Sequence, residues 1–305
     1  MLDCSHVRAL PGALPAPPRR IPLRALFTLA LLLLPAAGWA DTPNRELPFQ
    51  PGERLTYALK WTVIPAGEAV LEVQPMTSVN GVAAYHFVLT AKSTRFIDRI
   101  YKVRDRIEGF VDTSLTRSKL YKKKQREGSV KKDVLVVFDA DSNQARYYKS
   151  GKIRKELPIS VGTFDPLSAF YYSRSLELKE NSVIQKPVSD GKRWVIGKAH
   201  VVRRETITLD NGDTYDTFLM EPDLSHVGGV FEKSKDAKLQ LWVTADQRRI
   251  PVRIKSAVVV GSFTGELVSA QGLAESEAQQ AELVPRTETP VARAASPPFS
   301  TDSLN

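Results

Sequence analysis

The sequence predicts an all-β protein: a strongly curved antiparallel sheet, or an open or partly closed β-barrel, with one helix packed on it. Three observations lead there. Short runs of alternating apolar and polar residues recur between turn residues from 51 to 270, the pattern of half-buried antiparallel strands. Asn80-Gly81 and Asn211-Gly212 separate such runs, and this dipeptide supplies the positive φ angles of a tight hairpin. One stretch alone, opening at Asp165-Pro166, has the cap and the spacing of a helix.

At the start of the chain, Arg19, Arg20 and Arg24 precede an apolar run from Ala25 to Leu34, and Gly38-Trp39-Ala40 leads to Asp41. A basic segment, an apolar core and small residues at a cut site describe a secretory signal peptide over residues 1–40, cleaved after Ala40. The expected location is therefore the periplasm. The run is shorter than the roughly 20 apolar residues a bilayer span requires, so the mature chain is expected to have no membrane span. The single cysteine, Cys4, falls in the part removed and excludes both a disulfide framework and a Cys-based zinc site. The chain carries 43 Lys and Arg against 34 Asp and Glu. Most of that excess survives cleavage, and a basic exported protein attracts anionic partners such as lipid headgroups and acidic glycans. Nucleic acid is not an expected partner outside the cytoplasm.

Residues 41–50, with Pro43 and Pro48, read as an extended lead-in to a single β domain over 51–270. There Leu55, Tyr57, Leu59 and Trp61 alternate with Arg54, Thr56 and Lys60, and Ala69, Leu71 and Val73 follow the Pro65-Ala66-Gly67 turn. Further strands are predicted at 82–92, 101–112, 115–127, 130–139 and 143–149, with Ser150-Gly151 as the next hairpin tip. The helix is predicted over 166–176, where Leu167, Phe170 and Tyr171 follow Pro166 at helical spacing. Strands resume at 183–188, 192–209, 214–221, 238–244, 250–260 and 262–269. Residues 271–305 contain few large apolar side chains and several prolines, too little burial to offset ordering entropy, so a disordered tail is expected.

Four phrases carry a family resemblance: PGERLTYALKWTVIPAGEAVLEV at 51–73, YKVRDRIEGFVD at 101–112, DPLSAFYY at 165–172 and RRIPVRIKSAVVVGSFTGEL at 248–267. In this order they resemble the exported bacterial domain of unknown function 3108. The resemblance implies a secreted, envelope-associated, mainly β protein and brings no catalytic residues with it.

Candidate chemistry is sparse. His86, His200 and His226 sit in neither a G-x-S-x-G elbow nor an H-E-x-x-H helix, and Gly261-Ser262-Phe263-Thr264-Gly265 lacks serine at its centre. Asp139, Asp141 and Asn143 open like a calcium loop, but no glutamate closes it, and a turn explains them better. No cofactor or metal is expected. The conspicuous feature is basic: Arg117, Lys119, Lys122, Lys123, Lys124 and Arg126, then Lys131 and Lys132, fall on one predicted hairpin around Tyr121. Alternation puts Lys122, Lys124 and Arg126 on one face and Lys119, Tyr121 and Lys123 on the other. Charge on both faces implies a projecting or edge hairpin, where lysines block unwanted pairing. The functional reading is a landing site for phosphate or acidic sugar. Trp61, Tyr85, Phe87, Trp194 and Trp242 could line the inside of the sheet, with Phe170 and Tyr171 plugging or gating it. The function expected is that of a non-enzymatic periplasmic protein binding an amphipathic or anionic envelope component, lipid or glycan. A scaffold docking on other envelope proteins is the alternative, and a carboxylate-based envelope hydrolase a minor one.

Overall fold

A computed structural model describes residues 47–224, 238–258 and 261–275 of the chain. The expected signal peptide, the lead-in as far as 46, His226 and the tail beyond 275 lie outside the described residues. Chain order begins β1 (Arg54–Trp61), β2 (Ile64–Val79), β3 (Val82–Ser93), α1 (Arg95–Asp98), β4 (Arg104–Asp112), β5 (Ser118–Glu127) and β6 (Val130–Asp139). It continues with β7 (Gln144–Lys149), β8 (Lys152–Pro158), α2 (Pro166–Arg174), β9 (Ser182–Ser189), β10 (Trp194–Thr208) and β11 (Thr214–Pro222). β12 (Lys238–Thr244), β13 (Pro251–Val258) and β14 (Gly261–Gln271) complete the set. All fourteen strands form one curved, unclosed antiparallel sheet in the order β8-β7-β6-β5-β4-β3-β2-β1-β14-β13-β12-β11-β10-β9.

Two meanders, β1 to β8 and β9 to β14, are thus joined where the first strand pairs with the last, from Arg54 opposite Gln271 to Trp61 opposite Phe263. The connection carrying α2 runs between the two edge strands, β8 and β9. Its residues 159–165 lie across the opening: Ile159 N–H donates to Asn143, Ser118 N–H to Thr163, and Phe164 exchanges backbone hydrogen bonds with Pro187 and Ser189. The turn chemistry explains the hairpins. Asn80 and Gly81 take φ of 52° and 78°, and Ser150 and Gly151 take 50° and 75°, angles that cost Asn and Gly little. Pro75, without an N–H to give the ladder, coincides with the slip in β2–β3 register between Gln74 and Thr77.

The helix α2 is held by its cap. Asp165 accepts hydrogen bonds from the N–H groups of Leu167 and Ser168, both at 2.9 Å, and a 2.6 Å bond from the Ser118 hydroxyl of β5. Ser118 Oγ in turn accepts from Asp165 N–H at 2.7 Å. Strand β4 makes room with Gly109, where a Cβ would stand 2.7 Å from Ser168 Oγ and 2.9 Å from Asp165 Oδ1. One turn on, Tyr171 stacks on Phe87 at 4.0 Å, and Phe49 meets both rings edge-on at 5.3 Å. Leu55, Tyr57, Val73, Val111, Val252 and Leu267 close the same core, so both meanders contribute to it. A second buried cluster, around Tyr121, Val136 and Tyr147, backs β5 to β8, and a third joins Val201, Phe218 and Val243 to Leu178.

Several expectations are corrected. The helix ends at Arg174 with Ser175 as its cap, short of 176. Strand β4 starts at 104 rather than 101: Thr94 caps the unanticipated single turn α1, and the chain stays coiled as far as Tyr101, whose N–H donates to Ile97 at 2.8 Å. Strand β5 starts at 118 rather than 115: Asp112 accepts from Thr116 N–H at 2.7 Å and Leu115 takes φ of 51°, which makes a turn of residues 112–117. The basic hairpin is not at an edge. β5 pairs with β4 on one side and β6 on the other, so edge protection does not account for its lysines.

Candidate anion-binding groove

Register places the basic side chains. β4 and β5 set Arg106 opposite Lys124, Glu108 opposite Lys122 and Gly109 opposite Tyr121. Tyr121 is buried on the α2 side, and burial raises its hydroxyl pKa, so it stays neutral. Lys123, two residues on and on the same face, is half-buried, and Lys119 falls in the irregularity where Phe110 and Val111 face Leu120 and Ser118. Lys122, Lys124 and Arg126 share the opposite face with residues from the neighbouring strands. Lys122 lies over the Phe110 ring at 5.1 Å, and Arg126 binds Asp133 at 2.7 and 2.9 Å.

Beside Lys124 a groove of about 350 Å³ opens over β1 to β5. Val70 and Thr90 belong to its lining, and five cations surround it: Arg54, Lys92, Arg104, Arg106 and Lys124. Its two carboxylates are already engaged. Glu68 pairs with Lys92 at 2.9 Å, and Asp105 accepts from Arg126 N–H at 2.7 Å. Arg54 pairs with Glu72, Arg104 grips Asp98 at 2.6 and 3.0 Å, and Arg106 binds Glu108 at 3.0 Å. Glu108 is shared, since His86 Nε2 meets its other oxygen at 2.8 Å while the imidazole stacks on Phe110 at 4.2 Å. Burial lowers the His86 pKa more than Glu108 raises it, so the ring is neutral at pH 7. The cationic character of the groove therefore comes from Arg and Lys. Arg106 and Lys124, like charges directly opposite in neighbouring strands, repel each other.

A second groove, of about 490 Å³, has as many acidic as basic side chains in its lining. Its charges Arg204, Asp216, Asp246 and Arg248 are matched in pairs, Arg204 with Asp216 at 3.0 Å and Arg248 with Asp246 at 2.7 Å.

The sequence-predicted residues thus separate. Lys122, Lys124 and Arg126 come together, and only Lys124 lines the groove. Trp61 stands at the end of β1, 37% exposed and stacked with Phe263 at 6.5 Å, away from it. Phe170 is half-buried, and Tyr171 is fully buried in the packed core between α2 and the sheet. Phe87 and Trp242 are core residues as well, whereas Trp194 remains 37% exposed. Arg54, Lys92, Arg104 and Arg106 escaped sequence reading, because they come from separate strands and only adjacency collects them. Among the described residues, no three His, Cys, Asp or Glu side chains converge as a metal site, and no helix is long and apolar enough to cross a membrane.

A family model described as "Protein of unknown function (DUF3108)" matches residues 56–268, from within β1 to within β14. The chain belongs to this family. The DUF3108 span takes in both helices and every groove cation except Arg54. Among solved structures, the "Crystal Structure of Beta-barrel-like Protein of Domain of Unknown Function DUF1849 from Brucella abortus" is similar, with a TM-score of 0.46 and 12% identity over 73% of this chain and 98% of that one. No curated protein matches.

Proposed function

We propose that this DUF3108 protein is a non-enzymatic, exported binding protein, and that it holds an anionic cell-envelope component, a lipid headgroup or acidic glycan, in the groove beside β4 and β5. The observation that carries this reading is the placement of Arg106 directly across from Lys124, with Arg54, Lys92 and Arg104 around them and both groove carboxylates already engaged. A bound phosphate or carboxylate relieves that repulsion and accepts charge-assisted hydrogen bonds from guanidinium and ammonium donors. The packed α2 side supports binding on the opposite face rather than engulfment of a cargo. Export is supported by the signal-peptide pattern over residues 1–40.

Titration against phosphorylated and acidic oligosaccharides and short-chain anionic lipids tests the proposal. Lys124→Glu is expected to weaken binding about tenfold at low salt, near 1.4 kcal/mol, and the difference should shrink toward 1 M salt as the Debye length falls to about 3 Å. Lys119→Glu, outside the groove, should change it little. Equal affinity in wild type and Lys124→Glu, or no binding to either class at low salt, overturns the reading.

A further inference from the structure

Large apolar side chains are exposed at one end of the sheet with cations among them. The turn between β1 and β2 carries Val63, 80% exposed, beside Trp61, and Trp61 stacks with Phe263 at the start of β14. The connection from β3 to β4, which contains α1, carries Phe96 and Ile100, 58% and 72% exposed, and Tyr101. These connections are hydrogen-bonded into one rim. Thr62 N–H donates to Ser262 at 2.7 Å, Thr94 N–H to Ala66 at 2.9 Å, and Gly128 N–H, in the β5–β6 turn, to Lys102 at 2.8 Å. Arg95, Arg99 and Lys102 are exposed along the same connection, and its acid, Asp98, is taken up by Arg104. The groove cations Lys92 and Arg104 stand at the adjoining strand ends.

Apolar tips on a rigid backbone cost solvation wherever they meet water, and a contiguous exposed patch marks an interaction surface. The interleaved cations say what kind. Aromatic and aliphatic tips among Arg and Lys suit the headgroup region of an anionic bilayer, where apolar atoms leave water and the cations remain with lipid phosphates. We infer that this end of the sheet docks on an anionic phospholipid surface, with Val63, Phe96 and Ile100 entering the interface and Arg95, Arg99 and Lys102 lying on its phosphates. This goes beyond the groove reading, since the groove can hold a soluble anion while the rim stays in water.

The test uses the full chain with Cys4→Ser and a single environment-sensitive thiol label at Val63→Cys, at Ile100→Cys or, as a control on β2 beside the opposite turns, at Ser78→Cys. Vesicles are phosphatidylethanolamine with phosphatidylglycerol, or phosphatidylcholine alone. The labels at 63 and 100 are expected to shift to the blue on the anionic vesicles, with no shift at 78 and little on phosphatidylcholine. Val63→Asp with Ile100→Asp should lower vesicle binding at least tenfold and leave binding of a soluble acidic oligosaccharide to the groove unchanged. Vesicle association without a shift at 63 and 100 means attachment elsewhere, through the groove or the apolar run 25–34, and overturns the inference. Equal shifts on both lipids, a shift at 78, or no association also overturn it. Loss of oligosaccharide binding with the rim shifts intact counts against the groove alone.

Discussion

At the scale of single residues, the most demanding arrangement is the buried ion pair under α2. Arg174 and Glu53 have side chains 1% and 0% exposed, and two bonds of 2.5 and 2.9 Å join them. Nε and Nη2 also donate to the carbonyls of Pro48 and Arg248 at 3.1 to 3.2 Å, and the cation lies 5.4 Å from the Tyr171 ring centre. Burial works against charge on Arg174, but the Glu53 bonds and charge outweigh it and hold its pKa above the ordinary value. Removing one partner strands a charge. Glu53→Ala is expected to cost about 3–5 kcal/mol, read from denaturant midpoints, while Glu53→Met with Arg174→Leu should cost clearly less. His86 offers a second check. Its pKa lies below 6.5, because desolvation outweighs the bond and charge of Glu108. A neutral-favouring histidine takes up fewer protons folded than unfolded, so its contribution to stability is present above pH 6.5 and is lost as pH falls through 6.5 toward the folded value. NMR titration of the ring should show that midpoint, and Glu108→Gln should lower it further.

At the scale of elements, β4 and α2 depend on each other through Gly109. An alanine there puts its Cβ within 3 Å of both Ser168 and the capping Asp165 carboxylate. Gly109→Ala is therefore expected to destabilise by about 1–3 kcal/mol through overpacking, where the same change in an unencumbered strand would be favourable; thermal unfolding decides between the two. This coupling shows where sequence reading stops. Asp165-Pro166 announces the helix because capping is local, and Asn80-Gly81 announces its hairpin because positive φ is a property of those residues. The partner of the cap, Ser118, lies 47 residues away on β5 and carries no local mark. Alternation likewise sorts Lys122 and Lys124 from Tyr121 correctly but says nothing of which strands flank them. The edge assigned to the basic hairpin therefore belongs to β8, where Lys152, Arg154 and Lys155 are exposed on a strand that, among the described residues, pairs with β7 alone. The groove was legible in one of its five cations, Lys124. The rim was not legible: Trp61 was expected to line the inside of the sheet, and only the hydrogen bonds between connections gather it with the rim's other members.

For the described sheet as a whole, the decisive contact is the pairing of β1 with β14, which joins chain segments some two hundred residues apart and makes one sheet of two meanders. Packing follows the same division. Leu267 of β14 is buried among Tyr57 and Val73 of the first meander and Val252 of the second, and the Tyr57 hydroxyl donates to the Pro251 carbonyl at 2.8 Å. A core shared in this way resists partial opening, because neither meander can leave without exposing apolar surface of the other. Leu267→Ala should then cost about 2–5 kcal/mol, and the loss should fall on both meanders alike. Hydrogen exchange in increasing denaturant reads this directly: slow amides of β3 to β5 and of β11 to β13 should lose protection together, at a lower concentration than in the wild type. If only β11 to β13 opened early, the first meander around α2 would be a folding unit in its own right, and the β1–β14 seam would be an interface between two bodies rather than the middle of one.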